Sequence, residues 1–158
     1  MTEFEKVFED NREFIFKYLL KLTKNPSLSE ELTGETFFRA YMNYAGLRDK
    51  EKVSAWLCQI AKNTYFAWYN EHKKIDSLEE KILCLETDNP EETFIKKELS
   101  EKALMCLHEL EEPYKEVFML SVFGGFSLKD ISKTFGKSES WARVTFYRAK
   151  QRLLERMR

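Results

Sequence analysis

Apolar side chains recur along the first 74 residues at spacings of three and four. Phe4, Val7, Phe8, Ile15, Tyr18, Leu19 and Leu22 form one stripe of a helical surface, with polar residues between them. This helix should stop at Asn25-Pro26, because proline lacks an amide and disfavours helix at the residue before it. Ser27, with Glu30 three residues on, reads as a capping box. It would open a second helix carrying Leu32, Thr36, Phe37, Phe38 and Tyr41, with Phe37 and Tyr41 expected in the hydrophobic interior. That helix runs out near Tyr44-Ala45-Gly46, where glycine can take the left-handed cap conformation. After a polar stretch over 47–52, Val53, Trp56, Leu57, Ile60, Ala61 and Trp68 mark a third, long helix. Tyr65, Phe66 and Tyr69 add rings, and the helix should finish in Asn70-Glu71-His72-Lys73-Lys74. Three such helices close one bundle.

The pattern changes at Ile75. Residues 75–89 are acidic and hold no sustained period, which predicts a linker with one short helical turn around Leu78–Leu85. Asn89 and Pro90 fit the cap and first position of a helix through Phe94, Leu99, Ala103, Leu104, Leu107 and Leu110. Pro113 opens another, with Val117, Phe118, Leu120 and Ser121, closed by Gly124-Gly125. Ser127 with Asp130 caps a short helix bearing Leu128, Ile131 and Phe135. Gly136 follows, and Ser138 caps a last helix with Trp141, Ala142, Phe146, Ala149 and Leu153. The expected fold is all-α: a three-helix domain over 1–74, a linker over 75–89, and a four-helix domain over 90–158.

Composition agrees. The chain has 158 residues, 34% of them charged, with only five Gly and three Pro, which favours helices over a sandwich or a disordered chain. No apolar run approaches the ~18–20 residues of a membrane span. The acidic opening Met1-Thr2-Glu3-Phe4-Glu5-Lys6 lacks the basic-then-apolar order of a signal peptide, so a cytoplasmic location is expected. Cys58, Cys84 and Cys106 form no C-x-x-C and sit beside apolar neighbours, as small buried hydrophobes of a reducing compartment do. His72 and His108 form no H-E-x-x-H, and phosphate loops, nucleophile elbows and metal clusters are absent from the sequence. The expectation is a protein with no catalytic residue, metal, cofactor or small-molecule substrate.

Charge is distributed unevenly beneath a net −1. Residues 1–74 carry 12 basic and 11 acidic side chains, residues 75–116 carry 5 and 13, and residues 117–158 carry 9 and 3. A basic final segment suits a polyanion, although a basic helical face can also be simply solvated. The acidic middle would repel a polyanion.

The last two predicted helices narrow the choice. A short helix, a tight turn at Gly136-Lys137 and a longer helix have helix-turn-helix spacing. In that motif the N-terminal residues of the second helix reach base edges in the major groove. Here these would be Ser138, Glu139, Ser140 and Arg143, with Tyr147, Arg148 and Lys150 further along. Arginine can bind guanine bidentately, while Ser, Lys and helix N-termini suit phosphates. Trp141, Phe146 and Leu153 fall at the spacing that faces the preceding helix.

Two blocks of sequence resemble bacterial sigma factors of the extracytoplasmic-function type. Leu32-Thr33-Gly34-Glu35-Thr36-Phe37-Phe38-Arg39-Ala40-Tyr41 and Trp56-Leu57-Cys58-Gln59-Ile60-Ala61-Lys62-Asn63 are similar to the family's sigma-two signatures. Leu110–Phe118, Ser127–Ile131, Ser138–Val144 and Tyr147–Lys150 are similar to sigma-four. The blocks stand in the family's order and cover nearly the whole chain.

The resemblance implies a subunit that directs RNA polymerase to promoters, with two small helical domains, sigma-two and sigma-four, and partners in core polymerase and promoter DNA. Glu30, Glu31, Glu35, Thr36, Phe38 and Arg39 would dock on the clamp helices of the largest polymerase subunit. The loop from Tyr44 to Val53, with Arg48, would form a pocket for a flipped base. Lys62, Asn63, Phe66, Tyr69, Asn70, Lys73 and Lys74, with His72 on the same face, would contact the −10 element. The last helix would read the −35 duplex, with Lys137 pointing toward phosphate. An anti-sigma protein, often membrane-anchored, usually holds members of this family. The acidic linker would occupy the RNA-exit and template path and partly mask the basic end of the free protein. Gly34 replaces the family's usual glutamine, at about 1 kcal/mol of helix stability relative to alanine. The aromatic run Trp68-Tyr69 replaces a more basic −10 face, and Lys137 and Trp141-Ala142 alter the turn. The alternative from the residues alone is a helix-turn-helix regulator that never engages polymerase.

Overall fold

The computed structural model describes residues 1–47, 49–84 and 101–158, with side chains described for all of these except 73–84. Among these residues there are helices and turns and no strand. Helix α1 spans Glu3–Thr23. Its start is a reciprocal capping box: the Glu5 amide donates to the Thr2 hydroxyl at 3.1 Å, and the Thr2 amide donates to the Glu5 carboxylate at 3.3 Å. Lys24 closes it in the left-handed conformation, its amide bonding to Leu20 O at 2.8 Å.

Helix α2 spans Pro26–Asn43, and its cap corrects the expected Ser27–Glu30 box. Pro26 restricts Asn25 to extended backbone, which is N-cap geometry, and the Leu28 amide donates to Asn25 Oδ1 at 3.1 Å. The same proline that ends α1 therefore opens α2 from its first position, leaving Ser27 inside the first turn. The far end also differs. A 3₁₀ turn over Tyr44–Gly46 finishes the helix, and the left-handed glycines among the described residues are Gly125 and Gly136 instead of Gly46.

Helix α3 spans Val53–Cys84, 32 residues, and runs on through the first ten residues of the expected linker. No Gly or Pro stands between Trp68 and Cys84, and Leu, Ile, Glu and Lys there are compatible with continued helix. The expected single turn around Leu78–Leu85 is thus part of α3 as far as Cys84. The three helices bury Ile15, Tyr18, Leu19 and Leu22 against Leu32, Phe37 and Ala40 and against Leu57, Cys58, Ala61 and Tyr65. Phe8 meets Phe37 edge-on at 4.9 Å.

The second half begins with α4, helical over 101–109; the expected cap at Asn89-Pro90, Phe94 and Leu99 lie outside the described residues. It continues with α5 (Tyr114–Val122), α6 (Leu128–Phe135) and α7 (Glu139–Met157). Leu107, Leu110, Val117, Met119, Leu120, Ile131, Ala149 and Leu153 form its buried centre, flanked by stacked Phe118 and Phe146 at 5.9 Å. The two halves touch. Phe14 meets Phe126 at 5.8 Å, Tyr18 meets Phe123 at 6.5 Å, and the Lys21 ammonium donates to Phe123 O at 3.2 Å.

Gly34 lies on the exposed side of α2, and a Cβ there would meet nothing within 4 Å. Gly34→Ala should therefore stabilise the protein by about 0.5–1 kcal/mol, read as a raised midpoint in urea denaturation. Cys58 and Cys106 are buried free thiols, and burial, followed by the nearby Glu116 charge, pushes the Cys58 thiol far up. A Cys84→Ser chain should show no fast-reacting thiol at pH 8 in a colorimetric thiol assay, and both should react once it is unfolded.

Candidate nucleic-acid interface

The α6–α7 pair has the geometry its sequence demands. The Asp130 amide donates to Ser127 Oγ at 3.1 Å, and the Trp141 amide donates to Ser138 Oγ at 3.1 Å. Gly136 joins them at φ +65°, a conformation open to residues without a Cβ, and the Lys137 amide bonds back to Ser132 O at 2.9 Å. Phe135 and Trp141 pack at 5.3 Å, while Ala142, Thr145, Ala149 and Leu153 are buried. The turn into α7 and the opposite face of that helix are open: Lys137, Ser138, Glu139, Ser140, Arg143, Tyr147, Arg148 and Lys150 are all exposed. Glu139 holds Arg143 at 3.4 Å in an exposed i,i+4 pair, a contact that water and salt screen. Val144, 46% exposed beside Arg143 and Tyr147, joins this face although sequence reading passed over it. Its helical spacing was the available signal.

On α2, Glu30, Glu31, Glu35 and Phe38 are exposed, and half-exposed Arg39 pairs with Glu35 at 2.9 Å. Thr36 does not join them: it is fully buried, its hydroxyl donating to Leu32 O at 2.7 Å. Tyr41, expected inside, is 63% exposed with its ring edge-on to Phe4 at 5.3 Å. Phe38, Tyr41 and Met42 fall at i, i+3 and i+4, so they form one exposed apolar strip beside the charged residues. Met42 was not foreseen.

The third group lies on α3. Asn63 and Asn70 are exposed and Tyr69 is half-buried, whereas Lys62 and Phe66 are only 6% and 4% exposed. Lys73 and Lys74 continue the helical backbone with side chains outside the described residues, as Arg48 is altogether. What covers Lys62 and Phe66 is the second half of the chain. The Lys62 ammonium lies 2.9 Å from Glu112 Oε1 and is also paired with the Glu116 carboxylate. Burial raises the Glu116 pKa, and Lys62 works against that shift. The His108 ring stacks on Phe66 at 4.9 Å and 17°, and its Nε2 lies 2.7 Å from Asn70 Oδ1. Lys115 sits over the Phe66 ring at 4.1 Å and donates to His108 O at 3.0 Å. Burial, with Lys62 nearby, lowers the Lys115 pKa. His108, Glu112, Lys115 and Glu116 were not singled out for this role, because local periodicity does not encode pairing across some fifty residues.

The chain matches two family descriptions, Sigma-70 region 2 over residues 7–75 and Sigma-70 region 4 over residues 100–153. It is 27% identical over 150 residues to the ECF RNA polymerase sigma factor SigM of Bacillus subtilis, covering 94% of this chain and 91% of that one. It is 26% identical over 157 residues to the RNA polymerase sigma factor YlaC of the same organism, covering 97% and 91%. The sigma factor RpoE, solved in complex with the anti-sigma factor NepR from Bartonella quintana, has a similar fold. The TM-score is 0.53 at 15% identity, covering 99% of this chain and 98% of that chain. Exposed helix-turn-helix, α2 strip and α3 face thus lie within the two matched regions, and the chain belongs to the sigma-70 family of RNA polymerase sigma factors, with the extracytoplasmic-function type among its relatives.

Proposed function

We propose that this sigma factor divides its work among three surfaces. The exposed strip of α2, with Glu30, Glu31, Glu35, Phe38, Arg39, Tyr41 and Met42, binds core polymerase; buried Thr36 supports the helix from inside. An amphipathic helix face with an apolar strip and flanking charges suits a helical partner. The N-terminal face of α7 enters the major groove at the −35 element, with Arg143 reading a base edge and Lys137, Ser138, Arg148 and Lys150 holding phosphates. The α3 stripe of Lys62, Asn63, Phe66, Tyr69 and Asn70 holds the opened −10 strand by charge, stacking and amide contacts.

The observation that carries this reading is the two-sidedness of α7 and the turn before it: Ala142, Ala149 and Leu153 are buried, and the eight polar or aromatic residues suited to DNA from Lys137 to Lys150 are exposed, with Val144 among them. In domain terms the reading assigns 1–74 to polymerase and −10 contacts, 75–89 to a connection, and 90–158 to the −35 element. The role is non-catalytic and cytoplasmic; among the described residues no helix is long and apolar enough to cross a membrane. RpoE in its solved complex is held by an anti-sigma factor, and a protein inhibitor of that kind is the proposed regulator here.

Run-off transcription with core polymerase stripped of its own sigma subunit, over fragmented genomic DNA, should yield discrete new transcripts. Their absence together with duplex binding in the absence of polymerase would contradict the proposal. On a promoter so found, Arg143→Ala should lower transcription about tenfold or more, in line with ~1–3 kcal/mol for a bidentate base contact. Ser138→Ala should destabilise the protein by about 1 kcal/mol through loss of its cap, seen by urea denaturation.

A further inference from the structure

Three positions one helical turn apart on α3, Lys62, Phe66 and Asn70, are each met by a residue of the second half that satisfies a different kind of contact. Glu112 and Glu116 place carboxylates on the Lys62 ammonium. His108 lays a flat ring on Phe66. The same His108 places Nε2 on the Asn70 side-chain oxygen. A single strand of DNA would offer such a surface the same three things: a phosphate for the cation, a base for the ring face, and a polar base edge for the amide. All three stand-ins come from nine residues, 108–116, at the junction of α4 and α5.

We propose that in the free chain this junction is an internal substitute for the promoter strand, and that it closes the sigma-four half over the −10 face of the sigma-two half until polymerase and DNA displace it. The proposal rests on the assignment of that α3 stripe to the −10 strand. It goes beyond that assignment in naming the intramolecular occupant. Two features make the closure a defined state. The ion pair is withdrawn from water, with Lys62 and Glu116 side chains 7% and 6% exposed, so salt screens it less than a surface pair. A second contact, Phe14 and Tyr18 on α1 against Phe126 and Phe123, with the Lys21 bond to Phe123 O, holds the other edge. Lys62 and Phe66 are covered whereas Asn63 and Asn70 remain exposed, so the site is masked in part only. The exchange is electrostatically matched, because DNA phosphates replace the two carboxylates around one lysine.

The consequence is arithmetic. A site open in only a tenth of molecules binds its ligand about tenfold more weakly than the open site itself. The test uses the full chain with Cys84→Ser and spin labels on cysteines placed at exposed Lys6 and Glu155. The unaltered interface should give one narrow distance distribution. Glu112→Gln/Glu116→Gln should broaden it toward longer distances, and should raise affinity for a short, random-sequence, fluorescein-labelled single-stranded DNA up to about tenfold. His108→Ala, which leaves the ion pair and the buried Glu116 intact, should shift both readouts in the same direction. Glu9→Gln/Glu13→Gln removes equal charge from the exposed face of α1 and should leave both nearly unchanged. A broad distribution in the unaltered chain, or a narrow one in both interface variants, overturns the closure. A broadened distribution with no gain in affinity overturns the masking. In that last case run-off transcription by Asn63→Ala identifies the fault: full activity would mean that the α3 stripe does not hold the −10 strand, whereas lost activity would keep that assignment and reject the mask alone.

Discussion

A lysine ammonium cannot leave water without a counter-charge, and Lys62 has left it. At 6% exposure in the middle of α3 it would be an expensive burial on its own, since withdrawing an ion from water costs several kcal/mol before any compensation. Glu116 and Glu112 supply that compensation, and both belong to the other half of the chain. The juxtaposition of α3 with α5, the stacking of His108 on Phe66, and the depressed Lys115 pKa all surround this pair. Removing one partner would leave the other charge buried and unpaired, which is why such a pair fixes a geometry more firmly than it adds net stability. The pair thereby ties the half that matches Sigma-70 region 2 to the half that matches region 4.

The regional charges take on a different meaning in this light. Residues 75–116 hold 13 acidic and 5 basic side chains, and part of that acidity is spent on named cations. Glu112 and Glu116 serve Lys62, while Glu111 meets Arg152 at 3.3 Å and Arg156 at 3.9 Å at the far end of α7. These last two contacts are largely exposed and contribute little to stability. They do lower the positive field of α7 away from its N-terminal face. The side chains of the 75–89 linker, expected to mask the basic C-terminal end in part, lie outside the described residues; Glu112 and Glu116, beyond that linker, pair with the first half.

Much of the architecture was legible because helices announce themselves by period and by their caps. Ser127, Gly136 and Ser138 do in the structure what their residue types suggest, and the exposed face of α7 follows from spacing alone. The misreadings have local causes. Pro26 opens α2 as well as following the end of α1, which puts the cap at Asn25 instead of Ser27. The acidic, aperiodic stretch from Ile75 suggests a helix end, yet no breaker stands there and α3 continues to Cys84. Thr36 and Tyr41 exchanged sides, because a threonine can satisfy its hydroxyl within the helix and vanish inside, while a tyrosine ring can lie along the surface against Phe4. Lys62 and Phe66 lie on the expected α3 face, but their cover comes from residues about fifty positions away, and no local pattern contains that information.

A sigma factor of this build should expose its proposed DNA-binding surfaces for use only after it joins core polymerase. Titrating fluorescently labelled chain with core RNA polymerase, with no DNA present, tests this most directly. Saturable binding at nanomolar concentrations, about −12 kcal/mol, is expected, with only weak binding of the free chain to promoter duplex in a parallel titration. Tight binding to duplex DNA by the free chain, with none to core polymerase, would contradict it.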